Sequence, residues 1–593
     1  MTTPRPDYPR PQLRRERWHN LNGTWRFAFD DKDVGLAEGW FVPHGDGDGP
    51  FTHRITVPFA FQSERSGIGV NDRHDVVWYA RRFDDPRDGD DERLLLHFGA
   101  VDYEATVWVD GQQVAHHVGG HTPFTADVTD ALEGSGDHLV VVRAFDPLDD
   151  LTIPRGKQFW QPRSENIFYT PTTGIWQTVW LEPVGVERVH GWELTPDLAA
   201  GEVEVVLHLD PACVGATVQV VVAHDGNVLA DDRMQVTQPR LTRRFPVIPV
   251  RGHHTGAVAD WQNIATWSPE QPRLHDIEVT LQRGDRVTDR VVGYFGMRSI
   301  ETRDGEVLLN GRPYHQRLVL DQGYFPGGLM TAPTDDDLRR DIELAKELGF
   351  NGARKHQKVE DPRWLYWADR LGFLVWDEMP SAYEFSPAMA HRLADEWQQV
   401  VARDRNHPCV VTWVPMNESW GVPRLASDPR HRALLQALYH LTRALDPTRP
   451  VVGNDGWEQA ETDLLTVHDY GTADALQDHF ADLETALSAQ PAGRPLYTAG
   501  HAHRGEPLLV TEFGGIALVS DGDTWGYHTV DSEAALLERY RELLQALAAS
   551  GPVKGFCYTQ LTDVEQEANG LLTFDRRSKL DVASARAATT TTS

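Results

Sequence analysis

Cysteine is nearly absent from this 593-residue chain: there are three, Cys213, Cys409 and Cys557. They lie far apart in no metal-like spacing, and the latter two sit in apolar runs, so they read as buried thiols of a reducing compartment. Missing as well is any stretch near the roughly 18 apolar residues of a membrane span. The opening MTTPRPDYPRPQLRRE has no apolar segment of the kind a secretory signal carries. These absences point to a cytoplasmic protein with no membrane partner. Positive charge is in deficit, with 57 basic residues against 88 acidic and a net charge of −31, which argues against nucleic acid or an anionic membrane as partner. No glycine-rich phosphate or dinucleotide loop follows any predicted strand, which weakens an open doubly wound sheet as the fold.

What is present is enough chain for three or four hydrophobic cores. From about residue 21 to 300, short alternating stretches broken by turn residues predict β-sandwiches. ATVWVDGQQVAHH reads as a hairpin, with Asp110-Gly111 supplying the positive backbone angles of a tight turn. A break between TVWLEP and GVERVHGWEL, near Pro183, divides this part into residues 1–184 and 185–299. Over 300–582 the pattern becomes strands alternating with amphipathic helices, which implies parallel strands with crossover helices. Thr334 caps a helix with Leu338, Ile342, Ala345 and Leu348 on one face, and Asp361-Pro362 opens the next. Eight such units in about 280 residues fit a TIM barrel better than an open doubly wound sheet. The end of the chain, ASARAATTTTS at 583–593, is small and polar and is expected to be a disordered tail.

A TIM barrel places its site at the C-terminal strand ends. Here the eight strands finish in Asp321, Arg354, Asp377-Glu378, Asn417-Glu418, Asn454-Asp455, His468-Asp469-Tyr470, Thr511-Glu512 and Tyr558-Thr559-Gln560. Such a carboxylate-rich mouth suits a polyhydroxylated carbohydrate. Glu418 and Glu512, each ending an apolar strand, form the pair that glycoside hydrolysis requires: one carboxyl to protonate the departing oxygen, another to meet the developing oxocarbenium centre. The gap between them, which decides retention or inversion, is not readable from sequence.

At these residues the chain resembles glycoside hydrolase family 2, the family of β-galactosidases, β-glucuronidases and β-mannosidases. RNHPCVVTWVPMNES is similar to its acid/base signature and LLVTEFGG to its nucleophile strand. LNGTWRFAFD and TPTTGIWQTVWLEPV resemble strands of its jelly-roll sugar-binding domain. WSPEQPRLHDIEVTL and VVGYFGMRSIE resemble its immunoglobulin-like middle domain, and LNGRPYHQRLVLDQ resembles the start of its barrel. The resemblance implies that Glu418 is the general acid/base, Glu512 the nucleophile, Asn417 a partner of the sugar 2-hydroxyl, Arg354 the cation that keeps the nucleophile ionised, and Tyr470 a tyrosine touching it. It implies a retaining exo-β-glycosidase with no cofactor. Members commonly associate, so a homo-oligomer is possible.

Departures from the family bear on the sugar. The second strand reads RKHQK, which displaces His356 by one position and adds Lys355 and Lys358, either solvated loop charges or readers of a sugar carboxylate. The Asn-x-Lys clamp of the glucuronidases is not found where YTQLTDVEQEANGLLTFDRR stands, and Gln560 and Glu565 are available there instead. Asp321 and His468 are further candidates for substrate contact, and Trp160, on the long loop KQFWQPRSENIFY, is a candidate stacking platform that could equally be core. The resemblance also brings in the magnesium that some β-galactosidases of the family hold near the acid/base; Glu378 could serve there, but the local sequence does not match well, and no obligatory metal is expected. The leading expectation is a β-galactosidase-like enzyme. A β-glucuronidase, a furanosidase or arabinosidase, and a non-catalytic carbohydrate-binding protein stand as alternatives.

Overall fold

A computed structural model gives the fold, describing residues 3–43, 49–132, 136–161, 163–248, 264–519 and 525–591. Two β-sandwiches precede a parallel barrel. In the first, a six-stranded sheet ordered His53–Val57, Gly23–Phe29, Val76–Asp84, Asp137–Phe145, Glu104–Val109, Gln112–Val118 faces a four-stranded sheet containing Glu92–Phe98 and Val179–Gly185. Inward residues of both, among them Trp25, Phe27, Tyr79, Leu96, Val107 and Leu181, make one core. The predicted hairpin is there, with φ 48 at Asp110 and φ 85 at Gly111. The second sandwich pairs a three-stranded sheet with a four-stranded one. Its strands alternate buried and less buried positions, as Glu202–Leu209 shows, which is what a sheet with one wet face requires.

Seven barrel strands run parallel, in the spatial order Val410–Val414, Leu374–Glu378, Gly352–Lys355, Gln316–Asp321, Val553–Thr559, Leu508–Gly514, Leu465–His468. Residues 451–455, expected as the fifth strand, make isolated bridges instead of a ladder: Val451 pairs with Trp413 and Asp455 with Asn417. On their other side the Gly456 amide reaches Thr466 Oγ1 at 3.0 Å and the His468 amide reaches the Gly456 carbonyl. That run closes the eight-stranded barrel. The helices begin where the caps predict, with Thr334 Oγ1 accepting from the Asp337 amide and Asp361 from the Arg363 amide.

The end of the chain departs from expectation. Val582–Thr590 is a helix capped by the Asp581 side chain, not a disordered tail, although Thr592 and Ser593 lie outside the described residues. Alanine has the strongest helix propensity, and Ala585, Ala588 and Thr589 face the helix Glu533–Ala548, where Thr589 Oγ1 hydrogen-bonds Tyr540 at 2.7 Å. Composition alone missed that buried face.

The first sandwich is docked on the mouth of the barrel. The amides of Arg155 and Gly156 both donate to the Ser381 carbonyl, and those of Tyr383 and Glu384 to the Leu151 carbonyl. Gly156 has φ +59, and a Cβ there would sit 2.2 Å from the Gln357 carbonyl oxygen, so only glycine allows this approach. The loop carrying Lys157 and Trp160 is thereby fixed over the strand ends.

Candidate active site

Arg354 is the hub. Fully buried on the second strand, its guanidinium pairs with Glu378 (Nε to Oε2, 2.6 Å), Asp455 (Nη1 to Oδ2, 2.8 Å) and Glu512 (Nη2 to Oε1, 2.7 Å), and also donates to Asn417 Oδ1 at 3.0 Å. One cation among three buried carboxylates leaves negative charge unbalanced. The second cation is His468, whose Nε2 lies 3.0 Å from Asp455 Oδ2 while Nδ1 lies 2.7 Å from Glu418 Oε1 and 3.5 Å from Glu512 Oε2. Burial opposes a charged ring, but Glu512 and Asp455 outweigh it and push the imidazole up to about 10.

Glu512 receives a third contact, from Tyr470 Oη to Oε2 at 2.6 Å. Burial would raise its pKa, yet the charges of His468 and Arg354 prevail and hold it down at about 2. Glu418 differs. Its side chain keeps 14% exposure, its Oε1 is held by His468, and its Oε2 has no hydrogen-bond partner among the described residues. The Glu418 backbone lies in the left-handed region at φ 51, fixed by its amide on the Asp455 carbonyl at 2.9 Å. Oxygens of Glu418 and Glu512 lie within 4.8 Å of one another. The same two residues and His468 would also span a metal ion, but both ring nitrogens already face carboxylates that favour the protonated ring.

Other predicted residues fall at different distances from this centre. Asn417 is buried beside it, with Nδ2 lacking a partner among the described residues. His356 stands behind Arg354, accepting from Nη2 at 2.7 Å, and burial together with the Arg354 charge holds it neutral, well below the usual histidine range. Gln560 is fully buried; its Oε1 accepts from Gln322 and its Nε2 has no partner among the described residues. Asp321 is not open to a ligand in this arrangement, because Lys355 Nζ holds Oδ2 at 2.8 Å and the Gly323 amide holds Oδ1. Glu565 turns toward the first sandwich, where both oxygens accept from the Thr170 amide at 3.2 Å. Trp160 sits on the rim in an aromatic group with Phe168 and Tyr383. Lys355 and Lys358 are buried and paired with Glu360, and Glu378 is engaged by Arg354 and the Gln357 amide.

Sequence reasoning passed over Lys157. It is 6% exposed, its Nζ makes no hydrogen bond or ion pair among the described residues, and it lies 5.1 Å from the centre of the Trp420 ring. The neighbouring Glu567 and His356 feel its charge. Trp420 and Trp457, partly exposed, complete an aromatic rim with Tyr470 and Tyr527, whose rings stack at 3.4 Å. Their place after strands four, five and six was the signal available for Trp420, Trp457 and Tyr470; Lys157, in the first domain, carried none.

Comparison with known proteins fits this arrangement. Residues 18–168 match the glycosyl hydrolases family 2 sugar binding domain, 188–298 match glycosyl hydrolases family 2, and 300–544 match that family's TIM barrel domain. The chain is 26% identical to the β-glucuronidase of Rattus norvegicus over 570 residues, covering 88% of this chain and 82% of that one. It is 25% identical to a β-galactosidase of Thermoanaerobacter pseudethanolicus over 462 residues, 76% of this chain and only 56% of that one. In fold it superposes on the crystal structure of Ruminococcus gnavus β-glucuronidase with a TM-score of 0.77 across 100% of both chains, at 19% identity. With all three of its domains matched in order, the chain belongs to glycosyl hydrolase family 2.

Proposed function

We propose that the protein is a retaining exo-β-glycosidase working by double displacement. The observation that carries the reading is the approach of Glu418 and Glu512 oxygens to within 4.8 Å. Carboxyl groups about 5–5.5 Å apart allow direct attack, whereas inversion needs about 6.5–9.5 Å to admit a water. In the first step the Glu512 carboxylate attacks the anomeric carbon while Glu418 gives its proton to the leaving oxygen. In the second, a water loses a proton to Glu418, its oxygen takes the anomeric carbon, and Glu512 leaves as carboxylate. The depressed pKa of Glu512 supports the nucleophile role, and the free Oε2 of Glu418 supports the other. The aromatic rim and the docked loop suit a single terminal sugar held end-on.

For the sugar, a neutral β-galactoside is the first reading, since Lys355 and Lys358 are both engaged by acids and no Asn-x-Lys clamp is present. A β-glucuronide is the second, favoured by Lys157, whose Nζ has no ion-pair partner among the described residues. Glu512→Ala is expected to abolish turnover of every chromogenic β-glycoside, and azide is expected to restore it with a glycosyl azide of inverted configuration, read by NMR. A variant that keeps full activity without azide would end the proposal.

A further inference from the structure

His468 holds both ring nitrogens against carboxylates, so neither is open to a sugar hydroxyl. Its surroundings fix the ring twice over. Asp455 is an acceptor only: Oδ2 takes Arg354 Nη1 and Oδ1 takes the Thr511 hydroxyl at 2.8 Å, so Nε2 must carry the hydrogen of that contact. At the other nitrogen the space exists only because residue 456 is glycine, at φ +102; a Cβ there would lie 2.7 Å from Nδ1. Trp457 meets the ring edge to face at 5.5 Å. Among the described residues the charged groups facing the imidazole are Glu418 from the fourth strand end, Asp455 from the fifth run with Arg354 behind it, and Glu512 from the seventh strand, while the nearby His356 is held neutral.

We infer that His468 is a positioning residue for Glu418: its Nδ1–H fixes Glu418 through Oε1, so the acid proton sits on Oε2, and its charge stabilises the carboxylate left when that proton has gone. The ring keeps both hydrogens through both steps. Only Glu418 exchanges a proton, outward to the leaving oxygen and back from water. The imidazolium also lies close enough to Glu512 to favour its ionised form. One histidine therefore fixes the acid Glu418 through Oε1 and favours the ionised Glu512 that a nucleophile requires.

The inference rests on the acid/base reading of Glu418, and its test separates the two. In His468→Gln the ring charge that helps hold Glu512 ionised is gone, so the acid limb of the kcat/KM profile is expected to move up by about 1 pH unit or more. Loss of the fixed acid is expected to fall on poor leaving groups, with an alkyl glycoside losing about tenfold more than a dinitrophenyl glycoside of the same sugar. A merely structural histidine would lower all leaving groups alike and leave the acid limb in place, and that result overturns the inference. Wild-type enzyme inactive on every glycoside would instead end the proposed function. Should His468→Gln fail to fold, as judged by circular dichroism, Gly456→Ala displaces the ring without removing any of the three groups and carries the same leaving-group test.

Discussion

Lys157 shows what a single residue can decide here. A buried ammonium normally has a counter-charge, and Lys355 and Lys358 both have one. Lys157 has no ion-pair or hydrogen-bond partner among the described residues, and it lies beside Trp420, where its charge is felt by His356 and the Glu567 carboxyl. A ligand oxygen would complete it, and a carboxylate would do so more strongly than a hydroxyl. Lys157→Met is therefore expected to lower kcat/KM for an aryl β-glucuronide about tenfold more than for the matching β-galactoside, since a contact to a charged group is worth about 1.5–3 kcal/mol. Equal losses on both would show that Lys157 does not discriminate sugars by charge. The residue-level legibility of the sequence follows from the same physics. Glu418 and Glu512 are legible because each ends an apolar strand at the face where a barrel does its chemistry, and the two together make the pair that glycoside hydrolysis needs. Asp321 ends a strand just as abruptly, yet Lys355 claims it, and nothing in the spacing of the two says so.

Among elements, the loop that delivers Lys157 shows how a connection acquires rigidity. Its neighbours are all held: Arg155 and Gly156 by the Ser381 carbonyl, Gln158 by Asp102 and the Thr172 amide. Tyr383 donates its hydroxyl to the Gly156 carbonyl. The weak point is Gly156, where backbone lies against backbone and no side-chain rotation can relieve an added methyl. Gly156→Ala is expected to lift the loop, raising KM several-fold while changing kcat less; unchanged steady-state constants would mean that the loop does not shape the sugar pocket. Regular elements such as the helix Asp335–Glu347 were legible from periodicity and caps. The fifth barrel run was legible as apolar sequence but not as a bridged, ladder-poor segment, because its pairing is set by Trp413, Asn417 and Thr466 on its neighbours. The final helix was hidden for a related reason: its buried face exists only once Tyr540 is in place beside it.

For the whole molecule, the order of two sandwiches and a barrel was legible because hydrophobic period changes from two to 3.6 near residue 300, whereas the way the three parts lock together was not. The lock between the second sandwich and the barrel uses the residues just before the fourth strand. Asn406 Oδ1 accepts from the Leu194 amide at 2.8 Å and its Nδ2 donates to the Trp192 carbonyl at 3.1 Å. His407 contacts Asp369 Oδ2 at 2.5 Å, the same oxygen that receives the Tyr294 hydroxyl at 2.8 Å. Arg298 ties the Pro408 and Val410 carbonyls from the sandwich side. Part of the signature that resembles an acid/base motif thus serves the seam at the opposite end of the strand from Glu418. Asn406→Ala leaves two backbone groups of the sandwich without their partner, a loss of about 1–3 kcal/mol. The first thermal transition is expected to fall by roughly 2–5 °C, while kcat/KM per folded molecule stays within about twofold because no group at the strand tips has moved. A loss of activity in Asn406→Ala larger than its loss of folded protein would mean that strain at the seam reaches the catalytic end along Val410–Val414, and that the strand carries more than the position of Glu418.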